Sequence, residues 1–582
     1  MRRRRPRRAL GLVLAAATLL APPAWAQTTS GWPAFPLAEL VPGTVGYGLT
    51  EGPDGVERFA VEVVARQEGF GLGFPLVLVR ASGPLIDAAG GVAAGMSGSP
   101  VVLPHGGTEA LLGAVGYTFV DAPGGLALVT PIEAMRTQGW PAVAAGPLGG
   151  ASAGSAAHAM GTLRAAGIAP IATPLLVAGL GERALGFLQR ELRSASFDTV
   201  QVVPGGGSGA EVEGPLVPGS AIAVGWVRGD VSISAIGTLT ELQGDRWLAF
   251  GHPLLGTGPV EWPLLAARVT AVVPRRSLPF KLADAGDTVL GRLEQDRLAA
   301  VGGRLGVRPD LLPITLTVAA TNAAGLEEQS TMRFEVVRDP DLWPALVAVA
   351  TLEALDRVRG RSGGGTATVH WDVGLRDGPG LRLSEAVVHA TDVATAAARL
   401  TGAPLALLAR NPFQDPRVTR VSLLMQVEDQ RRDVEVRQVI TEAGEIVAGA
   451  VVPLYLRLQP WRRPGEVLGL DVAWPEHLDG RVELVVRGAT WPREEGADEA
   501  PDPDDAPLTF DELLAFLRER PRGGDLVVEA RADGGQWERL ERVAIPGFVT
   551  GHVRLTLDVA AAAGGSAGAP ADPPDMQEDE RP

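Results

Sequence analysis

The stretch that most constrains this chain is Gly95-Met96-Ser97-Gly98-Ser99-Pro100. It is a glycine-bracketed serine on a sharp turn closed by proline. Strand-like apolar runs flank it, Pro75-Leu76-Val77-Leu78-Val79 before and Val101-Val102-Leu103 after. Such a turn pushes the hydroxyl outward and lets a carbonyl carbon approach. The backbone N–H groups of Gly95 and Ser97 are then candidates to hold a developing oxyanion. The same residues also make an inert Gly/Ser β-turn, and the turn alone leaves both readings open.

The second such stretch is Trp247-Leu248-Ala249-Phe250-Gly251-His252-Pro253-Leu254. A histidine between Gly and Pro at the end of an apolar run lies on a turn, where its ring is available as a general base. Without a partner it reads as an inert turn histidine. The other six histidines lack this setting, and no H-x-x-x-H or H-E-x-x-H pattern occurs, so a zinc hydrolase is not expected. The glycines from Gly302 to Gly306 are followed by no Lys-Ser/Thr and form no phosphate loop. No metal or other cofactor is called for.

The chain has 582 residues, too many for one core. Gly 74 and Pro 47 together make about a fifth of it, which favours short strands and turns over helical bundles. Residues 1–26 read as a signal peptide: a basic start with Arg2 to Arg5, Arg7 and Arg8, an apolar run from Ala9 to Leu20, and Ala24-Trp25-Ala26 before the cut. Export to the periplasm, the cell envelope or the medium follows, with an uncleaved anchor as the alternative. Removing the six arginines takes the formal net charge from −16 to −22. An acidic mature chain is a poor partner for nucleic acid or an anionic membrane surface. No later segment is long and apolar enough for a helical span. The absence of cysteine excludes disulfides, thiolate metal sites and cysteine nucleophiles.

Alternation of Phe59, Val61 and Val63 marks a half-buried strand. Strands are also expected at Leu76–Arg80, Leu111–Val120 and Leu126–Thr130, with a short helix opening at Pro131. Residues 142–157 read as a Gly/Ala-rich loop, and Thr173–Ser194 has helical spacing. Beyond Pro313 come two helices, Leu342–Val358 and Thr391–Ala409, among long alternating runs. These divide the chain into a domain at 27–312, a β-sandwich-like domain with two helices at 313–491, an acidic Pro-rich linker at 492–507, a small α+β segment at 508–559 opened by a Thr509…Glu512 capping box, and a disordered acidic tail at 560–582.

Three pieces of the first domain resemble the SpoIVB peptidase family. They are Gly90 to Val102 with Leu112-Gly113-Ala114-Val115-Gly116-Tyr117; Gly237-Thr238-Leu239 through Ala249-Phe250-Gly251-His252-Pro253; and Ala271-Val272-Val273 to Val289-Leu290-Gly291 with Gly302-Gly303. The resemblance covers about residues 36 to 310. It implies a mainly β protein with a chymotrypsin-like double β-barrel, Ser97 as nucleophile, His252 as general base, and a protein or peptide substrate, the chain itself included through its 149–154 loop. Two departures stand out. The serine and histidine segments occur in swapped order, which triads tolerate. The family's acid falls fifteen residues before the nucleophile, where this chain has Ser82. Asp87, Asp245, Asp284 and Asp287 remain candidates for the third member. The alternative from another class is a non-catalytic peptide-binding scaffold of the cell envelope.

Overall fold

The computed structural model describes residues 31–119, 124–140, 153–194, 200–204, 215–275, 279–321, 325–441, 446–490 and 507–562. The signal peptide, most of the 142–157 loop with residues 149–152 of its Gly149–Gly154 cleavage candidate, nearly all of the acidic linker and most of the tail lie outside them. The chain divides into two units, the first made of 1–176, 199–224 and 234–309, the second of 177–198, 225–233 and 310–582. No helix among the described residues is long and apolar enough to cross a membrane.

The first unit is a double β-barrel. Its first barrel uses β1 (Val45–Gly52), β2 (Gly55–Gln67), β3 (Leu76–Ser82), β4 (Pro100–His105), β5 (Thr108–Phe119) and β6 (Leu126–Pro131). The ladder runs β1-β2-β3-β6-β5-β4 and closes through β1–β4, where Tyr47 pairs with Val102. Period-two patterning builds its interior: Phe59, Val61 and Val63 are buried while Arg58, Ala60 and Glu62 between them are exposed. They pack with Val77, Val79, Met96, Val101 and Val129. Helices α1 (Pro84–Ala89) and α2 (Ile132–Gly139) follow β3 and β6.

Helix α3 (Ala153–Ala165) and the short strands β7 (Ile168–Pro170), β8 (Thr173–Ala178) and β9 (Val200–Pro204) come next in the chain. Helix α3, not expected from the sequence, begins at Ala153 inside the segment read as a loop. Thr173–Ala178, in contrast, is a strand and not the start of a helix. Its fully apolar run carries no period of its own, and Gly179, at φ +74°, breaks the chain before α4 (Glu182–Ser194).

The second barrel is built from β10 (Ala221–Gly229), β11 (Ser232–Gln243), β12 (Arg246–Ala249), β13 (Gly258–Val273), β14 (Phe280–Arg297) and β15 (Ala300–Leu305). Its ladder runs β10-β11-β12-β15-β14-β13 and closes through β10–β13, where Ile222 pairs with Ala266. Counted from its first strand, each barrel has the order first-second-third-sixth-fifth-fourth. The two are therefore one topology used twice. Val102, Leu111, Ala114, Ile132 and Met135 pack with Leu248 and Ala300 in an apolar cluster shared by both barrels.

The second unit holds strands 312–321, 327–336, 365–375, 381–389 and 418–428, with helices α5 (Trp343–Arg359) and α6 (Val393–Ala409) packed on them and on each other. Beyond Asp433 a four-stranded and a five-stranded sheet enclose one core of Val436, Leu454, Leu456, Val472, Leu484 and Val528. These two sheets form a β-sandwich, but over residues 433–560 and without helices α5 and α6, not over 313–491 with both helices as the sequence suggested. Strands 525–532 and 552–560, which sequence sets apart in a separate segment, flank 480–488 on both sides. The Thr509 cap forms, with Thr509 Oγ1 accepting from Glu512 N, and opens helix α7 (Phe510–Glu519).

Candidate functional site

The repeated topology puts Ser97 and His252 at equivalent places. Ser97 lies on the connection between the third and fourth strands of the first barrel, His252 on that of the second. Each turn is bent by backbone that favours glycine. Gly95 and Gly98 stand at φ +89° and +95°, and Phe250 and Gly251 both at +67°. For Phe250 a left-handed backbone costs roughly 1–3 kcal/mol, and such strain clusters at functional sites. Its ring lies over Gly237, where a Cβ would come within 2.6 Å.

The two turns pack on each other. A Cβ on Gly98 would lie 2.5 Å from Phe250 N, and one on Gly116 would lie 2.3 Å from Gly251 O. Gly98 N–H donates to Val115 O at 2.8 Å, Thr238 N–H to Ser97 O at 2.8 Å, and Thr240 Oγ1 to Gly98 O at 2.7 Å. Thr130 Oγ1 donates to Gly251 O. Strands of both barrels thus hold the serine turn, and strand β6 of the first barrel holds the histidine turn.

Ser97 is 0% exposed and His252 1%. Ser97 Oγ and His252 Nε2 are both buried without a hydrogen-bond partner, as is Ser99 Oγ. No direct hydrogen bond joins Ser97 to His252. The expected oxyanion donors are also unspent: around this turn the donating N–H groups are those of Ala93, Ala94, Met96, Gly98 and Ser99, and neither Gly95 N nor Ser97 N donates within the described residues. Unmet polar groups in a core cost about 1–3 kcal/mol each and call for an explanation.

His252 Nδ1 lies 2.7 Å from Pro253 O. A carbonyl only accepts, so Nδ1 carries the proton and Nε2 keeps its lone pair. The ring stands edge-on to Tyr117 and Phe250, with centroids 6.2 and 5.8 Å away. Burial among them lowers its pKa to about 4, against the pull of the Pro253 and Ile171 carbonyls. His252 is therefore a neutral base throughout the physiological range.

None of the four candidate acids reaches the ring. Asp87, Asp245 and Asp287 are exposed, and Asp284 is half-buried on β14. The partner of Nδ1 is a backbone carbonyl and not a carboxylate. A carboxylate does serve the histidine segment indirectly. Asp296, fully buried on β14, accepts the N–H groups of Leu254, Leu255 and Gly256 at 2.7, 2.7 and 2.8 Å. Burial pushes its carboxyl up, and these donors, with Thr257, act against that. Asp296→Ala strands several buried donors and is expected to destabilise the first unit by about 2–4 kcal/mol, read as a lower denaturation midpoint.

Sequence reasoning also missed Lys281. It is 0% exposed on β14, and its Nζ lies 2.7 Å from Thr50 Oγ1 and 3.3 Å from Thr238 Oγ1. Burial lowers its pKa to about 7, with Glu51 opposing. A signal was present: it is the only lysine in the chain, every other Lys/Arg position being arginine. Asp296 has no such signature.

A cleft of about 830 Å³ opens elsewhere in this unit, between Glu51, Asp54 and Val56 of the first barrel and Ala221, Ala267 and Arg268 of the second. Neither Ser97 nor His252 lines it. No family model matches the chain, and no curated protein or solved structure shows significant similarity to it.

Proposed function

We propose that the protein is an exported serine endopeptidase of the SpoIVB-like kind, with Ser97 as nucleophile and His252 as general base. The observation that carries this reading is the pair of buried, unpartnered atoms, Ser97 Oγ and His252 Nε2, on turns packed together between two barrels. Ser97 Oγ attacks the scissile carbonyl carbon while its proton passes to Nε2. The Gly95 and Ser97 N–H groups receive the oxyanion. His252 then gives the proton to the leaving amine, and water releases the acyl group by the same steps in reverse. Among the described residues the imidazolium is met only by backbone carbonyls, those of Pro253 and Ile171, and by no carboxylate. Losing the orienting acid of a triad costs about four orders of magnitude, so a slow enzyme is expected.

A second reading is a peptide-binding scaffold without hydrolysis. The sealing of Ser97 and His252 from solvent favours it. A fluorophosphonate probe separates the two. Phosphonylation of Ser97, located by peptide mass mapping, is expected in the full chain. Its rate falls below about pH 4, where His252 becomes protonated and cannot accept the serine proton. A folded chain that never labels at Ser97 leaves the scaffold reading.

A further inference from the structure

We infer that Lys281 is a positioning residue that clamps the oxyanion turn from both sides of Gly95. The inference rests on the proposed role of Ser97. It starts from the choice of residue. The chain uses arginine at every cationic position but one, and that one is fully buried. Arginine stays charged and needs a wide, forked site, whereas a lysine ammonium is compact and can lose its proton.

The contacts give the clamp its form. Lys281 N–H donates to Ala94 O at 3.0 Å, and Ala94 N–H to Pro279 O at 2.7 Å. The Ala94 carbonyl belongs to the same peptide as the Gly95 N–H, so the bond polarises that free donor outward. On the other side, Thr238 Oγ1 donates to Gly95 O at 2.9 Å and accepts from Lys281 Nζ at 3.3 Å. Thr50 Oγ1 holds Nζ at 2.7 Å. The lysine stem runs along Gly95, where a Cβ would lie 3.3 Å from Lys281 Cβ. Lys281 thus holds the peptide planes before and after Gly95 and leaves its N–H free for an oxyanion.

The clamp also has a charge. Among the described residues the one charge acting on Lys281 is Glu51, whose carboxylate already accepts Ala221 N–H at 2.7 Å and Val269 N–H at 3.1 Å. Below neutrality Nζ is an ammonium that strengthens the relay and favours a developing oxyanion. Above about 7 it is a neutral amine. Phosphonylation of Ser97 therefore reaches a plateau between about pH 4 and 7 and declines above.

Two measurements on the full chain test this. The first is the pH profile of fluorophosphonate labelling. Lys281→Met is expected to lower the plateau 10- to 100-fold and to abolish the decline above pH 7; a decline that persists with Met at 281 overturns the charge role. The second is hydrogen exchange of the segment around Gly95, which needs no activity. Lys281→Met keeps the backbone bond to Ala94 but removes the ammonium; it is expected to speed exchange at least tenfold, and unchanged exchange overturns the side-chain half of the clamp. Thr238→Val keeps the lysine and the Thr238 N–H bond to Ser97 but cuts the relay. It should loosen the same segment while retaining the decline, and it serves where Lys281→Met fails to fold. A wild-type chain that exchanges slowly at this turn yet never labels refutes Ser97 as nucleophile and leaves the clamp standing.

Discussion

A chain with alanine at position 97 is expected to lose peptide cleavage by at least about 10³-fold and yet to be more stable than the parent. The first effect follows from removing the proposed nucleophile, which would leave only the proposed oxyanion donors and substrate binding. The second follows from burial. Ser97 Oγ is sealed in the core without a partner. Removing such a hydroxyl relieves a desolvation cost of about 1–3 kcal/mol. Function held against stability is the usual mark of a working site. Residual cleavage is measured with a peptide library and mass detection, stability by thermal unfolding. An alanine chain that cleaves as before refutes the mechanism, and one that is less stable refutes the view that the hydroxyl is unsatisfied.

Gly98→Ala is expected to have the largest effect on folding, above about 4 kcal/mol, enough to leave the first unit unfolded or insoluble. The added Cβ would stand 1.9 Å from Thr238 O and 2.5 Å from Phe250 N. Both are backbone atoms on strand β11 and the histidine turn, and neither has a side chain that can swing away. The backbone there is also left-handed, at φ +95°. The substitution therefore wedges apart the serine turn and the histidine turn, which pack on each other there. Soluble yield and hydrogen exchange of the two turns are the readouts, with Gly106→Ala, at an open hairpin tip, as the control.

Much of this site was legible in the sequence because its geometry is written in residue types. Two left-handed glycines and a proline are needed to bend a chain around Ser97, and Gly251-Pro253 around His252, so both turns stand out in the sequence. Alternation at Phe59, Val61 and Val63 likewise reports a strand wall directly. What the sequence does not carry is partnership. The closure of each barrel by its first and fourth strands is a pairing between distant segments with no local signature. None of Asp87, Asp245, Asp284 and Asp287 orients His252, because its Nδ1 partner is the carbonyl of its own neighbour, and a carbonyl belongs to every residue. Thr173–Ala178 misled because a fully buried strand is apolar on both faces and loses its period. Lys281 was legible as a lone lysine, but its meaning comes only from what lies beside it.

The central claim is that Ser97 and His252 act on one reacting centre. The most direct measurement is a crystal structure of the full chain after fluorophosphonate treatment. The predicted result is a phosphonyl group on Ser97 Oγ with its oxygen at about 3 Å from the Gly95 and Ser97 N–H groups and His252 Nε2 within hydrogen-bond reach of Oγ. An unmodified Ser97, or an adduct with His252 turned away and its Nε2 bonded elsewhere, contradicts it.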